Sequence, residues 1–150
     1  MDALKHVTYC GLYCGLCAEI ARVPAQAKAL RDTLRAEGWE HFGESVRPGF
    51  KEFWECLEFF SRDEGACPGC RAGGGFPGCE IRKCAQEREL LVCSECGDFP
   101  CENIEKLGEA YPLLIADGHR QKKIGLDAWI AEQEGRRATG FCYADIRNPD

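Results

Sequence analysis

Twelve cysteines in a chain of 150 residues constrain this protein more than any other feature of its sequence. Ten of them form two zones: Cys10, Cys14 and Cys17 in the first, and Cys67, Cys70, Cys79, Cys84, Cys93, Cys96 and Cys101 in the second. So many cysteines predict disulfides in an oxidising compartment and metal or redox chemistry in a reducing one. Residues 1–7 do not resemble a signal peptide, which favours metal binding in the cytoplasm over a disulfide scaffold.

Three cysteine pairs have the spacing C-x-x-C: Cys14/Cys17, Cys67/Cys70 and Cys93/Cys96. Two intervening residues allow a tight turn that aims both sulfurs at one ion, as in structural zinc knuckles. Pro68 stiffens the second pair, and Gly97 follows the third pair at a position where the chain can need a positive φ. The spacing therefore predicts knuckle-like metal sites.

The spacing allows more than one grouping of the cysteines. The cleanest local set of four is Cys67, Cys70, Cys79 and Cys84. Residues five apart on an α-helix point about 140° apart, so Cys79 is predicted to precede a helix that carries Cys84 in its first turns. A second set would combine Cys93, Cys96 and Cys101 with a cysteine of the first zone. Joining Cys67/Cys70 to Cys93/Cys96 is an equally open alternative.

Zinc is the expected metal, with an iron–sulfur cluster on Cys10, Cys14 and Cys17 as the alternative. Thiolates bind both. The first zone has the spacing by which radical S-adenosylmethionine enzymes hold a cluster, but such enzymes need a much larger barrel, and ferredoxin spacings are absent. The histidines, His6, His41 and His119, are not expected to be ligands. No catalytic set is recognisable, so the sequence favours a role other than catalysis.

The rest of the sequence predicts a mainly α fold: one small helical domain over residues 1–150, with irregular cysteine-rich loops bound to metal. The predicted helices are Pro24–Glu37, Phe50–Ser61, Glu80–Leu90, one that starts after Asp98 as its N-cap, near Pro100, and carries Ile104, Leu107 and Tyr111, and Leu126–Arg137. Residues 65–79 are rich in glycine and are predicted to be loop. The apolar stripe of the second helix is expected in the core, with Cys56 buried in it. Cys142 is expected to pack likewise.

The net charge of the chain indicates which class of macromolecule it can bind. The formal net charge is −6, and a zinc ion bound by four thiolates carries about −2 more. A phosphate backbone requires a local surplus of Lys and Arg, so nucleic acid is a disfavoured partner and another protein is the expected one. No run approaches the roughly 18 apolar residues of a membrane span. The sequence does not indicate an oligomeric state.

Several motifs resemble the cysteine-rich domain-of-unknown-function family 3795 of bacteria and archaea. They are Cys10-Gly11-Leu12-x-Cys14-x-x-Cys17, Cys67-x-Gly69-Cys70, Cys79-Glu80-Ile81-Arg82-Lys83-Cys84-Ala85, Cys93-x-Glu95-Cys96-Gly97-Asp98-Phe99-Pro100-Cys101 and Ile124-Gly125-Leu126-Asp127-Ala128-Trp129-Ile130-Ala131-Glu132-Gln133. The resemblance implies a zinc-binding protein with ten patterned cysteines, leaving out Cys56 and Cys142. It implies no particular catalytic activity. Ten is neither eight nor twelve, so two four-cysteine sites would leave two thiols over.

Overall fold

The computed structural model describes residues 2–147, and within them the chain is mainly helical, as predicted. The α-helices are α1 (Ala18–Ala21), α2 (Val23–Ala36), α3 (Trp39–Val46), α4 (Phe50–Phe60), α5 (Glu80–Glu87), α6 (Glu102–Ala110), α7 (Leu114–Ile124) and α8 (Leu126–Ala138). Short 3₁₀ turns are Asp2–His6, Cys14–Leu16, Asp63–Gly65, Cys70–Ala72, Cys93–Glu95 and Tyr143–Asp145. In this described part there is no β-strand, only an isolated antiparallel bridge between Val7 and Tyr13. None of the helices formed by residues 2–147 combines the length and the apolar character that a membrane span requires.

The described chain divides into two compact units. Residues 18–67 form one, called here the helical unit, and residues 2–17 with 68–147 form the other, called the cysteine unit. Nine of the ten patterned cysteines belong to the cysteine unit, and Cys67 is the last residue of the helical unit. A single domain over residues 1–150 stays a prediction.

The core of the cysteine unit surrounds the side chain of Trp129 on α8. Its buried members are Val7, Tyr13, Leu16, Val92, Trp129, Ile130 and Tyr143. The backbone N–H of Tyr13 donates to the Tyr143 hydroxyl at 3.0 Å, so the first cysteine zone is anchored to the C-terminal turn. Cys142, next to Tyr143, has no exposed surface, which confirms that it packs in the interior.

Helix α7 connects this core to the second cysteine zone. It packs against α6, α8 and the Cys93–Glu95 turn. A second apolar cluster, Phe99, Ile104 and Leu114, lies where these elements meet. Asp117 of α7 is buried and accepts hydrogen bonds from both terminal nitrogens of Arg136 on α8, at 3.0 and 3.2 Å. The inner face of α7 is therefore partly polar.

The helical unit buries fewer side chains than its aromatic pattern predicts. Helix α4 packs on α2 and α3, and among its residues only Leu57 is buried. Phe53 and Phe60 are 43% and 39% exposed, and Cys56 is exposed as well, so the predicted burial of Cys56 and of the whole stripe is wrong. These side chains line a groove of about 280 Å³ between α2 and α4. A unit of this size has too little interior to enclose so many aromatic rings.

Two predicted helix boundaries also differ from the structure. Helix α5 ends at Glu87 rather than Leu90, because Glu89 adopts a left-handed conformation with φ of 55° that ends the helix. Helix α6 begins at Glu102, with Cys101 rather than Asp98 at its N-cap. The Asp98 carboxylate instead forms an ion pair with Arg88 at 2.9 Å.

Three helices were not predicted from the sequence. The first, α1, has only four residues, and the second, α3, has eight and carries Gly43, a poor helix former, in its interior. The third is α7, whose buried residues are Leu114, Asp117, Gly118 and Gln121. Hydrophobic periodicity cannot reveal a helix whose inner face is mostly polar.

Glycine at position 118 allows a close approach between α7 and the Phe99 ring, which a β-carbon there would overlap. We expect Gly118→Ala to destabilise the fold by about 1–3 kcal/mol, because the ring would have to shift. Gly135→Ala in α8 is the matched control, since a β-carbon there meets nothing within 4 Å and alanine favours a helix by roughly 0.5–1 kcal/mol. Urea unfolding of both variants checks this, and equal effects would contradict it.

Removing the Asp117 carboxylate should also destabilise the protein. Asp117→Ala leaves the guanidinium of Arg136, which is about one third exposed, without its buried partner, and we expect a loss of about 2–3 kcal/mol. Glu132→Ala is the control, because Glu132 pairs with Arg120 at the exposed surface and its loss should matter far less. Thermal and urea unfolding measure both, and a larger effect of the control would refute the expectation.

Candidate metal centre

Two of the three C-x-x-C pairs are built as single 3₁₀ turns. The backbone N–H of Cys17 donates to the carbonyl of Cys14 at 3.0 Å, and that of Cys96 donates to the carbonyl of Cys93 at 3.0 Å. A 3₁₀ helix has three residues per turn, so side chains three positions apart lie above one another on one side. Each turn therefore directs its two sulfurs to a common side, as a metal knuckle requires.

The remaining pair, Cys67/Cys70, has a different backbone conformation. Cys70 opens the 3₁₀ turn Cys70–Ala72, and the glycine before it, Gly69, has a φ of 95°. A β-carbon at Gly69 would lie 3.8 Å from the Cys14 sulfur, so that sulfur lies close to the Gly69 backbone. The expected positive φ beside a knuckle thus occurs at Gly69. Gly97 does not have one.

Four cysteines line a common cavity of about 50 Å³ in the cysteine unit: Cys84, Cys93, Cys96 and Cys101. They come from α5, from the two ends of one 3₁₀ turn, and from the residue before α6. Cys84 is exposed and the other three are half-buried. The structure thus places Cys84 in the same cavity lining as Cys93, Cys96 and Cys101, and Cys70 and Cys79 are not part of that lining. The grouping of Cys84 with Cys67, Cys70 and Cys79 stays a prediction.

The direction of α5 explains why Cys84 lines the cavity and Cys79 does not. As predicted, Cys79 precedes the helix, at its N-cap, and Cys84 lies inside it. The five-residue separation turns the two side chains in different directions, by about 140° on a regular helix. Cys84 consequently faces the cavity, whereas Cys79 is close enough to Cys10 to affect its pKa.

Positively charged and N–H groups surround the Cys96 sulfur. The Arg88 guanidinium donates to this sulfur at 3.0 Å, and the backbone N–H of Asp98 points to it at 3.4 Å. The Lys122 ammonium donates to the Cys96 carbonyl at 3.4 Å and lies 5.1 Å from the centre of the Phe99 ring. Hydrogen bonds of this kind fix the direction of a ligand side chain.

The pKa values indicate that cysteine sulfurs of both zones lie near one another. Burial, together with a smaller effect of the nearby Cys10, raises the pKa of the Cys93 thiol to about 12. Burial is also the main reason why the pKa of Cys10 is raised to about 11; a hydrogen bond with Thr8 lowers this pKa, and Cys70 and Cys79 raise it. Cys10 therefore lies within electrostatic range of both parts of the second zone. A metal ion that binds these sulfurs would have to displace their protons.

The donor chemistry of the cavity fits a single zinc ion, although its sulfurs do not converge on one point. Among residues 2–147, no three His, Cys, Asp or Glu side chains are arranged so that they could hold a metal ion. The cavity nevertheless presents four sulfurs, the ligand set of closed zinc sites. Its volume of about 50 Å³ exceeds the roughly 10–15 Å³ that one water molecule requires, so the cavity has room for an ion.

The histidines have other neighbours. His6 packs edge-on against Tyr13 at a centroid distance of 5.9 Å, and His119 against Phe99 at 5.5 Å. The His41 side chain is 80% exposed. No histidine is among the residues that line the cavity.

Comparison with known proteins is consistent with the cysteine pattern. The model of a family described as a protein of unknown function, DUF3795, matches residues 6–106, about two thirds of the chain. The chain belongs to this family. All ten patterned cysteines, from Cys10 to Cys101, lie in the DUF3795 match, whereas α7 and α8 follow it. No curated protein and no solved structure shows a significant match.

The sequence did not indicate the polar residues beside the cysteines. Arg88 lies four positions after Cys84, on the same face of the helix, which is the one signal that could have revealed it. Lys122 and Gln121 lie on α7, which was not predicted as a helix. Cys67, at the end of the helical unit, stays a predicted ligand.

Alkylation tests whether Cys84 faces a metal site. Cys56 and Cys84 are both exposed, so both should react with iodoacetamide in the metal-free protein, whereas the fully buried Cys142 should not. Added zinc should protect Cys84, because a bound thiolate is no longer free to react, and should leave Cys56 reactive. Mass spectrometry of peptides measures each site. Equal reactivity of Cys84 with and without bound zinc would contradict this assignment.

Proposed function

We propose that this protein binds zinc through closed four-cysteine sites, and that Cys84, Cys93, Cys96 and Cys101 form one of them. The observation that carries the proposal is the single cavity that these four side chains line. Four thiolates complete the tetrahedral coordination that structural zinc prefers. Cys93, which opens the Cys93–Glu95 turn, and Cys96, which follows it, supply half of that set.

The charges near the cavity support the proposal. A zinc ion with four thiolates carries a net charge of about −2, which is costly to hold away from water without compensation. Arg88 at the Cys96 sulfur and Lys122 at the Cys96 carbonyl bring two positive charges to this turn, and Asp98, which pairs with Arg88, brings one negative charge. The contacts also orient Cys96, because hydrogen bonds to a ligand sulfur fix its direction.

A second ion is proposed among the other patterned cysteines of the cysteine unit, Cys10, Cys14, Cys17, Cys70 and Cys79. The contact of the Cys14 sulfur with Gly69 and the electrostatic effect of Cys70 and Cys79 on Cys10 support their grouping. Roughly two zinc ions per chain are therefore expected. The bound zinc would join loops that lack regular structure.

The role that follows from closed sites is structural rather than catalytic. A zinc ion with four protein ligands has no open position for a substrate and contributes its binding free energy to folding. We therefore propose that the folded protein acts as an interaction module in the cytoplasm. Its net charge of −6 favours a protein partner over nucleic acid.

Replacing one cavity ligand tests the metal site. We expect Cys96→Ser to lose about one zinc ion per chain and to lower stability, because three remaining thiolates bind zinc far more weakly than four. Cys56→Ser is the matched control, because the Cys56 thiol is exposed on α4 and does not line the cavity. The zinc content of this variant should equal that of the wild type. The measurement is elemental analysis per chain after anaerobic purification.

Three results would overturn the proposal. Iron with labile sulfide and visible absorption would identify the iron–sulfur alternative. Unchanged zinc content in Cys96→Ser would exclude the assigned ligand set. A wild-type protein that binds no metal under reducing conditions would refute the whole proposal.

A further inference from the structure

A buried amide on α7 lies between the two cysteine zones. This amide belongs to Gln121, a residue of which only 4% of the surface is exposed. Its Nε2 donates to the carbonyl of Gly11 at 3.0 Å, and its Oε1 accepts from the Ser94 hydroxyl at 2.8 Å. A carbonyl can only accept a hydrogen bond, so the Gly11 contact fixes the orientation of the amide.

Both partners of this amide belong to cysteine motifs. Gly11 directly follows Cys10, and Ser94, 2% exposed, lies between Cys93 and Cys96. A second contact holds the same segments together, since the backbone N–H of Cys93 donates to the carbonyl of Tyr9 at 2.7 Å. Segments more than 80 positions apart in the sequence therefore meet at one side chain of α7.

Glycine at position 11 gives the amide room to approach. Gly11 has a φ of +100°, and a β-carbon there would lie 3.3 Å from Oε1 and 3.4 Å from Nε2 of Gln121. A side chain at this position would be strained by the backbone conformation and would press on the amide. The close approach of Gln121 to Gly11 and the hydrogen bonds of Gln121 with Gly11 and Ser94 form a single arrangement, called here the Gln121 clamp.

We propose that Gln121 is a positioning residue for metal binding, and this proposal rests on the proposed zinc function. The Gln121 clamp holds the Cys93–Glu95 turn against the segment that carries Cys10, so that these two ligand-bearing segments are held together before an ion arrives. When the ligand-bearing segments are already ordered, the chain loses less conformational entropy on binding the ion. Without the amide, the buried Ser94 hydroxyl and Gly11 carbonyl lose their partner and the two segments can separate.

Two buried glutamines allow a matched test. Gln121→Met keeps nearly the same volume and removes both hydrogen bonds of the clamp. Gln133→Met makes the same change on α8, where the fully buried Gln133 donates to Trp129 of its own helix at 3.2 Å and accepts from Arg136 at 3.0 Å. Unlike the partners of Gln121, neither partner of Gln133 lies next to a cysteine in the sequence. Each variant loses a buried amide, so both should be less stable than the wild type.

The experiment is a competition titration of zinc between a chromophoric chelator and each full-length reduced protein, with thermal unfolding measured in parallel. We expect Gln121→Met to bind zinc about tenfold more weakly than the wild type, the lower end of the loss seen when groups that orient metal ligands are removed. Gln133→Met should bind zinc with nearly wild-type affinity despite its lower melting temperature. Ser94→Ala, which removes one partner of the amide, should weaken binding by less than Gln121→Met.

Each outcome decides a separate question. Wild-type affinity in Gln121→Met would overturn the positioning role and leave the zinc proposal intact. An equal loss of affinity in Gln121→Met and Gln133→Met would overturn it too, because it would reflect general destabilisation. A wild-type chain without zinc would overturn both proposals. Should Gln121→Met fail to fold, Ser94→Ala decides in its place: wild-type affinity in that variant refutes the role.

Discussion

The close contact between α7 and the cysteine-bearing segments is the constraint on which the cysteine unit depends. Along one face of this helix, Gly118 admits the Phe99 ring, Asp117 binds Arg136 of α8, and Gln121 joins Gly11 to Ser94. Each contact pairs a small or polar group of α7 with a specific partner. A purely apolar face would bury equal area without specifying which loop meets which turn.

Much of the fold follows from local patterns in the sequence. Helix α8 was predicted over Leu126–Arg137 and ends one residue later, because its apolar residues recur at helical spacing and Gly125 precedes it. The aromatic stripe of α4 predicted a helix correctly but not its burial. Periodicity shows that side chains share a face, whereas burial also depends on how much of the chain is there to cover it.

The cysteines that line the cavity stand out in the sequence, whereas their grouping in the structure does not follow from it. Spacing in the sequence indicates which cysteines can share a turn, and it anticipated the paired sulfurs at Cys93 and Cys96. It carries no information about the direction in which a helix presents a side chain relative to distant loops. Cys84 thus faces the cavity while Cys79, five positions earlier, does not line it. Contacts such as that of Arg88 with the Cys96 sulfur depend on tertiary structure alone.

The two 3₁₀ turns have nearly the same backbone. Cys17 and Cys96, which end them, have φ and ψ of −74° and 137° and of −68° and 139°, respectively. Each turn closes within four residues, so it can form long before distant segments meet, since short loops close within nanoseconds to microseconds. Cys93 and Cys96 are therefore neighbours already in the folding chain, and α5 and the start of α6 bring Cys84 and Cys101 to a pair that is present before them.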